Sequence, residues 1–262
     1  VQVALGAAPH ADAETAAAVG RASAAADVLV AVGSGTINDL CKHAAAGAGK
    51  PYVVFATAPS MNGYTSANAA ITVNGHKKSL PSRPAQGVFM DLEVLAAAPV
   101  RMIAAGLGDS LCRTTAQADW LMSHLVRETD YRRAPFVLLA DDEPVLLEHS
   151  DALVNGNREA MQHLARTLVL SGFGMSICGG SYPASQGEHL ISHYLDTMPV
   201  RRSGDALHGE QVAVATLTMA RIQERLLAEA RACRACAAHL PRGPRPVLRA
   251  KPGARVMIVG QA

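Results

Sequence analysis

The run DVLVAV at 27–32 passes straight into the turn Gly33-Ser34-Gly35 and then into a helical pattern from about Thr36, and this constrains the chain more than any other feature. An apolar β-rich run that ends in glycines and opens a helix is a βα unit. YVVFA at 52–56 and GVFMD at 87–91 repeat the strand signal, VQVAL at 1–5 offers a further one, and residues 12–26 read as an alanine-rich helix. Strand–helix–strand order predicts a parallel sheet covered by helices. Between the strands, AITVNGHKK carries Asn74-Gly75, a dipeptide that favours a two-residue hairpin turn.

The texture changes at Leu92. The stretches LEVLAAAP, VRMIAAGLGDSLCRTTAQADWLMSHLV, 144–173 and 186–230 all read as helices, interrupted by a Gly, Ser and Pro loop, GFGMSICGGSYPASQG, at 172–187. The organisation expected is therefore a partial Rossmann-like α/β domain over 1–91 and an all-helical domain over 92–230. For a nucleotide-binding unit the chain starts late, because a strand and glycine turn would normally precede its second βα unit. Residues 231–262, rich in Arg, Pro and Ala without a strand or helix period, read as a disordered tail or an out-of-frame stretch.

Composition narrows the function. The 262 residues are about half hydrophobic, enough for a buried core, and carry a net charge of +2 with no basic face upstream of residue 230, so nucleic acid is not an expected partner. No apolar run approaches the roughly 18 residues of a membrane span, and no signal peptide opens the chain. The five cysteines lack the spacing of a disulfide framework, so reduced thiols in a cytoplasmic protein are expected. Cys233-x-x-Cys236 with His239 lies in the biased tail with no second half, and chance accounts for it.

Chemistry concentrates in a few segments. GSGT at 33–36 has the context of a phosphate-binding turn: glycines let the backbone approach a pyrophosphate, free helix amides point at the anion, Thr36 adds a hydroxyl and Asp39 sits in the first turn. TAPS at 57–60 ends the next strand, on the edge where such sheets bind ligands. GLGD places Asp109 at a helix start, either as a cap or as a ligand, and Arg113 one turn on could orient it or meet an anionic substrate. In GEHLISHYLD, His189 and His193 share a helix face and could ligate one metal, or divide into one ligand and one proton-handling group. His208 of LHGEQVAV begins another helix. One carboxylate and two imidazoles could hold a divalent metal with a position open for substrate. The remaining histidines are read as structural or exposed.

Taken in order, GSGTINDL, TAPSMNGYTS, GLGDSLCR, GEHLISH and HGEQV closely resemble the sn-glycerol-1-phosphate dehydrogenase family, within the superfamily of iron-containing alcohol dehydrogenases, glycerol dehydrogenases and dehydroquinate synthases. The resemblance implies an N-terminal Rossmann-like domain, a C-terminal helical metal-binding domain and an active site in the cleft between them. It implies reduction of dihydroxyacetone phosphate to sn-glycerol 1-phosphate with NADH or NADPH and one divalent ion: zinc, nickel or iron. Gly33, Gly35, Thr36, Ile37, Asn38, Asp39, Thr57, Ala58, Pro59, Ser60 and Ser66 would then be dinucleotide contacts, and Asp109, His189 and His208 the metal ligands. His193 and Asp109 would be catalytic and lie against the substrate. Many relatives carry Asp where this chain has Asn62; an amide there can bind the substrate but holds no charge. The partner implied is a small phosphorylated ketone or polyol, with a homo-oligomer left open. Two rival readings are a sugar-phosphate cyclase of the dehydroquinate synthase type and an inactive fragment.

Overall fold

A computed structural model describes residues 2–6, 9–198, 206–234, 247–248 and 259–260. Helix α1 (Ala13–Ala22) starts at Asp12, whose carboxylate accepts the amide of Thr15 at 2.7 Å and so satisfies one of the helix's free donors. Strand β1 (Leu29–Gly33), helix α2 (Gly35–Gly47) and strand β2 (Tyr52–Ala56) form the predicted βαβ unit. A third strand, here labelled β5 (Gly87–Phe89), pairs with the far edge of β2, so the sheet is parallel in the order β1-β2-β5. Leu29 faces Tyr52 and Val53 faces Gly87 in register, which brings the carboxyl ends of all three strands to one edge.

Burial alternates along these strands. Leu29, Ala31, Tyr52, Val54 and Ala56 are buried in one cluster with Leu40, Ala44 and Ala45 of α2, while Val30, Val32 and Phe89 on the opposite face are more than half exposed. The sheet is therefore covered on one face among the described residues, not on both. An unbroken apolar run reads the same in either case, so the sequence pattern could not separate them. VQVAL does not form a strand: residues 2–6 have no ladder partner among the described residues, and Leu5 packs on the core instead. Strands β3 (Asn68–Val73) and β4 (His76–Pro81) form the expected antiparallel hairpin, and both turn residues are left-handed, Asn74 at φ 54° and Gly75 at φ 78°.

From Leu92 to residue 234 every regular element described is helical: α3 (Leu92–Ala96), α4 (Val100–Leu111), α5 (Arg113–Arg127), α6 (Ala134–Val137), α7 (Asp142–Glu148), a 3₁₀ turn (Ser150–Asn155), α8 (Arg158–Cys178), α9 (Gly187–Thr197) and α10 (His208–Ala232). The single helix predicted over 144–173 is broken, because Gly156 turns left-handed at φ 69° and Asn157 caps a new helix through Ala160 at 3.0 Å. In the other direction, α8 runs through GFGMSIC, which the glycines had suggested was loop. A Cβ on Gly172 would stand 2.2 Å from Thr65 Oγ1, so that glycine serves close packing rather than a turn. One hydrophobic cluster extends from Ala16 to Leu168 and joins sheet, hairpin and helices. In the tail, β6 (Val247–Leu248) pairs antiparallel with β7 (Val259–Gly260); the rest of the expectation for 235–262, including Cys236 and His239, lies outside the described residues. No described helix is long and apolar enough to cross a membrane.

Candidate metal and nucleotide site

Asp109 lies in the last turn of α4, not at a helix start. The glycines of GLGD permit contact instead of making a turn. A Cβ on Gly106 would fall 1.6 Å from the carbonyl oxygen of Pro59, and one on Gly108 would fall 2.4 Å from that of Gly209. Helix α4 is thus pressed by its backbone against the 57–60 loop on one side and α10 on the other. Asp109 is only 1% exposed. The backbone amide of Asn62 donates to its Oδ2 at 2.8 Å, while Oδ1 is buried without a hydrogen-bond partner among the described residues. Leaving a carboxylate oxygen in that state is costly unless something else occupies its lone pairs.

Two imidazole nitrogens face that oxygen, Nε2 of His189 at 3.6 Å and Nε2 of His208 at 3.9 Å. Both nitrogens are fixed by what the far side of each ring does. Nδ1 of His189 donates to the buried carboxylate of Glu188 at 2.9 Å. Ser192 Oγ gives its proton to Gln211 Oε1 at 2.8 Å, so at 3.4 Å it accepts from Nδ1 of His208. Each ring therefore turns its Nε2 toward Asp109. Burial first, then Lys77, His189 and His193, hold His208 well below the ordinary histidine range. Burial also pushes His189 down, but Asp109 and Glu188 outweigh it and lift that ring to about 9. His193 follows one turn after His189, half-buried, its ring centroid 6.1 Å from that of His189 and 6.0 Å from that of His208. It is held low, chiefly by burial.

The residues fit a divalent ion. The donor atoms of Asp109, His189 and His208 all lie within 4.8 Å of one another around the unpartnered oxygen, and a mixed oxygen and nitrogen set suits zinc, nickel or iron. Cys112, Glu188 and His189 also cluster. There, however, Nδ1 of His189 is engaged by Glu188, and the Cys112 thiol donates to the carbonyls of Asp109 and Ala184, its ionisation opposed first by burial. This second group supports the first.

A cavity of about 240 Å³ connects the cluster to the end of the sheet. Gly35, Thr36, Asp39, Ser60, Asn62, Ser66, Asp109, His189, His193 and His208 all line it. Ser34 stands at the N-cap of α2 with no side-chain hydrogen bond to the helix, which leaves the first amides facing the cavity to a ligand. The other expected nucleotide residues stand behind this wall. The carbonyl of Gly33 ties the strand tips together by accepting the amide of Thr57 at 3.0 Å, and Ile37 packs against Gly33. The side chain of Asn38 is held by Asp39 and Tyr52, the carbonyl of Ala58 accepts the Tyr64 hydroxyl at 2.6 Å, and Pro59 meets α4.

Arg113 does not take the role expected of it. It is 3% exposed, its guanidinium lies 3.2 Å from Glu143 and over the Phe136 ring, and it is not part of the cavity wall. Position 113 opens α5, whose first turn points into the helical core. Three residues went unnoticed in the sequence. Lys42 is fully buried and donates to the carbonyls of Gly63 and Asn68 and to Ser66, pinning the 63–68 loop onto α2; a lysine one turn after Asp39 was its only mark. Glu188 was legible only as an acid beside a histidine. Lys77 sits on a hairpin read solely for its turn.

Residues 1–99 match the family described as iron-containing alcohol dehydrogenase. The chain is 38% identical over 192 residues to a glycerol-1-phosphate dehydrogenase [NAD(P)+] of Halalkalibacterium halodurans, covering 73% of this chain and 48% of that protein. It is 38% identical over 194 residues to that of Thermococcus sibiricus, covering 74% and 55%. The chain thus spans about half the length of the curated relatives it matches. Its fold is similar to the crystal structure of a probable glycerol dehydrogenase from Sinorhizobium meliloti, with TM-score 0.69 and 24% identity over 86% of this chain and 66% of that one. Glycerol dehydrogenase from Schizosaccharomyces pombe gives TM-score 0.67 and 21% identity, covering 84% and 59%. Residues 1–99 thus match the iron-containing alcohol dehydrogenases, and over about three quarters of its length the chain is similar to the glycerol-1-phosphate dehydrogenases of Halalkalibacterium halodurans and Thermococcus sibiricus.

Proposed function

We propose that this chain carries the active site of a metal-dependent glycerol-1-phosphate dehydrogenase, which reduces dihydroxyacetone phosphate to sn-glycerol 1-phosphate with NADH or NADPH. One observation carries the reading: the Asp109, His189 and His208 cluster and the N-terminus of α2 open onto the same cavity. When bound, the divalent ion would act as a Lewis acid on the substrate carbonyl, and the nicotinamide would supply hydride.

The chain's own residues do the rest. Asn62 fixes one oxygen of Asp109 through its amide, so the other is aimed at the ion and substrate. Glu188 and Ser192 fix the histidine tautomers. The Ser34, Gly35 and Thr36 amides receive the dinucleotide phosphates, with Ser60 on the facing wall. His193 binds the substrate and, as a neutral imidazole, relays a proton from solvent to the carbonyl oxygen as it becomes a hydroxyl. With zinc loaded, NADH should be consumed stoichiometrically with dihydroxyacetone phosphate. A cyclase of the dehydroquinate synthase type would show no net NADH oxidation. Absence of turnover with the ion and cofactor both bound would overturn the reading.

A further inference from the structure

We infer that Lys77, carried to the cavity wall by β4, binds the phosphate monoester of the substrate. The inference rests on the function proposed above and names the group that would select a phosphorylated ketone over a plain one.

The hairpin β3–β4 packs against α9, and Lys77, Lys78 and Ser79 all line the cavity that holds His193 and His208. Strand period puts Lys77 and Ser79 on one face, so an ammonium and a hydroxyl look the same way. The Lys77 side chain is 22% exposed, and its ammonium stands 3.9 Å from Asp196 Oδ2, longer than a hydrogen bond. Asp196 is itself held by Gln211 at 3.1 Å, one turn beyond His193 on α9. The ammonium therefore stands at the histidine end of the cavity with donor capacity to spare.

Charge makes the placement informative. Lys77 lines the same cavity as His193 and His208. A cation beside a cluster suited to a divalent ion is repelled by it, unless an anion joins them. A phosphate group bearing close to two negative charges, a few bonds from the ketone, supplies that anion. Arg113, the cation first expected to do so, is committed to Glu143 and Phe136. A dinucleotide phosphate offers the same chemistry, and the test separates the two sources.

The experiment compares the zinc-loaded full chain with Lys77→Met and Asp196→Asn. KM and kcat are measured for dihydroxyacetone phosphate, for dihydroxyacetone and for NADH, and inorganic phosphate is titrated calorimetrically. Losing one charge-assisted contact should lower kcat/KM for the phosphorylated ketone by about 30-fold in Lys77→Met. Dihydroxyacetone turnover and the KM for NADH should stay unchanged, which also shows that the variant is folded. Asp196→Asn should not reproduce the loss. Equal loss on both ketones, a defect confined to NADH, or the same loss in Asp196→Asn would each overturn the assignment. If the wild type reduces neither ketone, the proposed function fails, and the titration still decides the anion site. Phosphate binding lost in Lys77→Met upholds it, and equal binding sinks it.

Discussion

A Cβ placed on Gly209 would stand 1.8 Å from the carbonyl oxygen of Ala105, so α10 and α4 cross backbone against backbone. Gly108 completes the contact from the other side, and the crossing lies one residue from both Asp109 and His208. The distance between these two candidate ligands is therefore set by a contact in which no side chain fits. Gly209→Ala should push the helices apart, costing about 1–3 kcal/mol of stability and weakening metal binding with it. Thermal unfolding and zinc titration check both effects; an unchanged zinc affinity would show that the crossing does not position the site.

Glu188 should matter to a metal it never touches. Its carboxylate fixes Nδ1 of His189 and also accepts the amide of Gln186 at 2.8 Å. Glu188→Gln keeps the shape but weakens control of the imidazole tautomer. Zinc affinity should fall about 10- to 100-fold, measured by competition with a chromogenic chelator, while circular dichroism stays unchanged.

Protons should compete with the ion at His189. In the metal-free protein that ring holds its proton up to about 9, because the Asp109 and Glu188 carboxylates outweigh the burial that opposes it. A metal must displace this proton at neutral pH. Apparent affinity should rise about tenfold per pH unit from pH 7 and level off near 9, with one proton released per ion. Calorimetry in buffers of different ionisation enthalpy counts that proton.

Lys42→Met tests the buried cation behind the nucleotide wall. The substitution strips the Gly63 and Asn68 carbonyls of a donor and leaves Asp39 without the ammonium 3.8 Å away. Burial already raises the Asp39 carboxyl against the pull of Lys42. A loss of about 3–5 kcal/mol in unfolding free energy is expected, the range for one partner removed from a buried pair. Urea denaturation measures it.

The sequence made legible what depends on local pattern. β1 with its glycine turn, the left-handed Asn74-Gly75 hairpin and the helical texture after Leu92 follow from apolar period and turn chemistry, and the structure forms each of them. Asp109, His189, His193 and His208 were found through motif order, and the fold brings all four to one cavity. What escaped depends on contacts distant in the chain. GLGD and GFGMSIC look like turns until the backbones facing Gly106, Gly108 and Gly172 are known. Arg113 was expected at the site and Lys77 was passed over, because only the packing of α5 against α6 and α7 residues, and of β4 against α9, decides which cation lines the cavity.

Zinc titrated into the metal-stripped chain, beside His189→Ala and the distant control His163→Ala, tests the three-residue site most directly. One tightly bound ion is expected in the wild type and in His163→Ala, with affinity at least about 100-fold weaker in His189→Ala. Equal stoichiometry and affinity in His189→Ala would contradict the account.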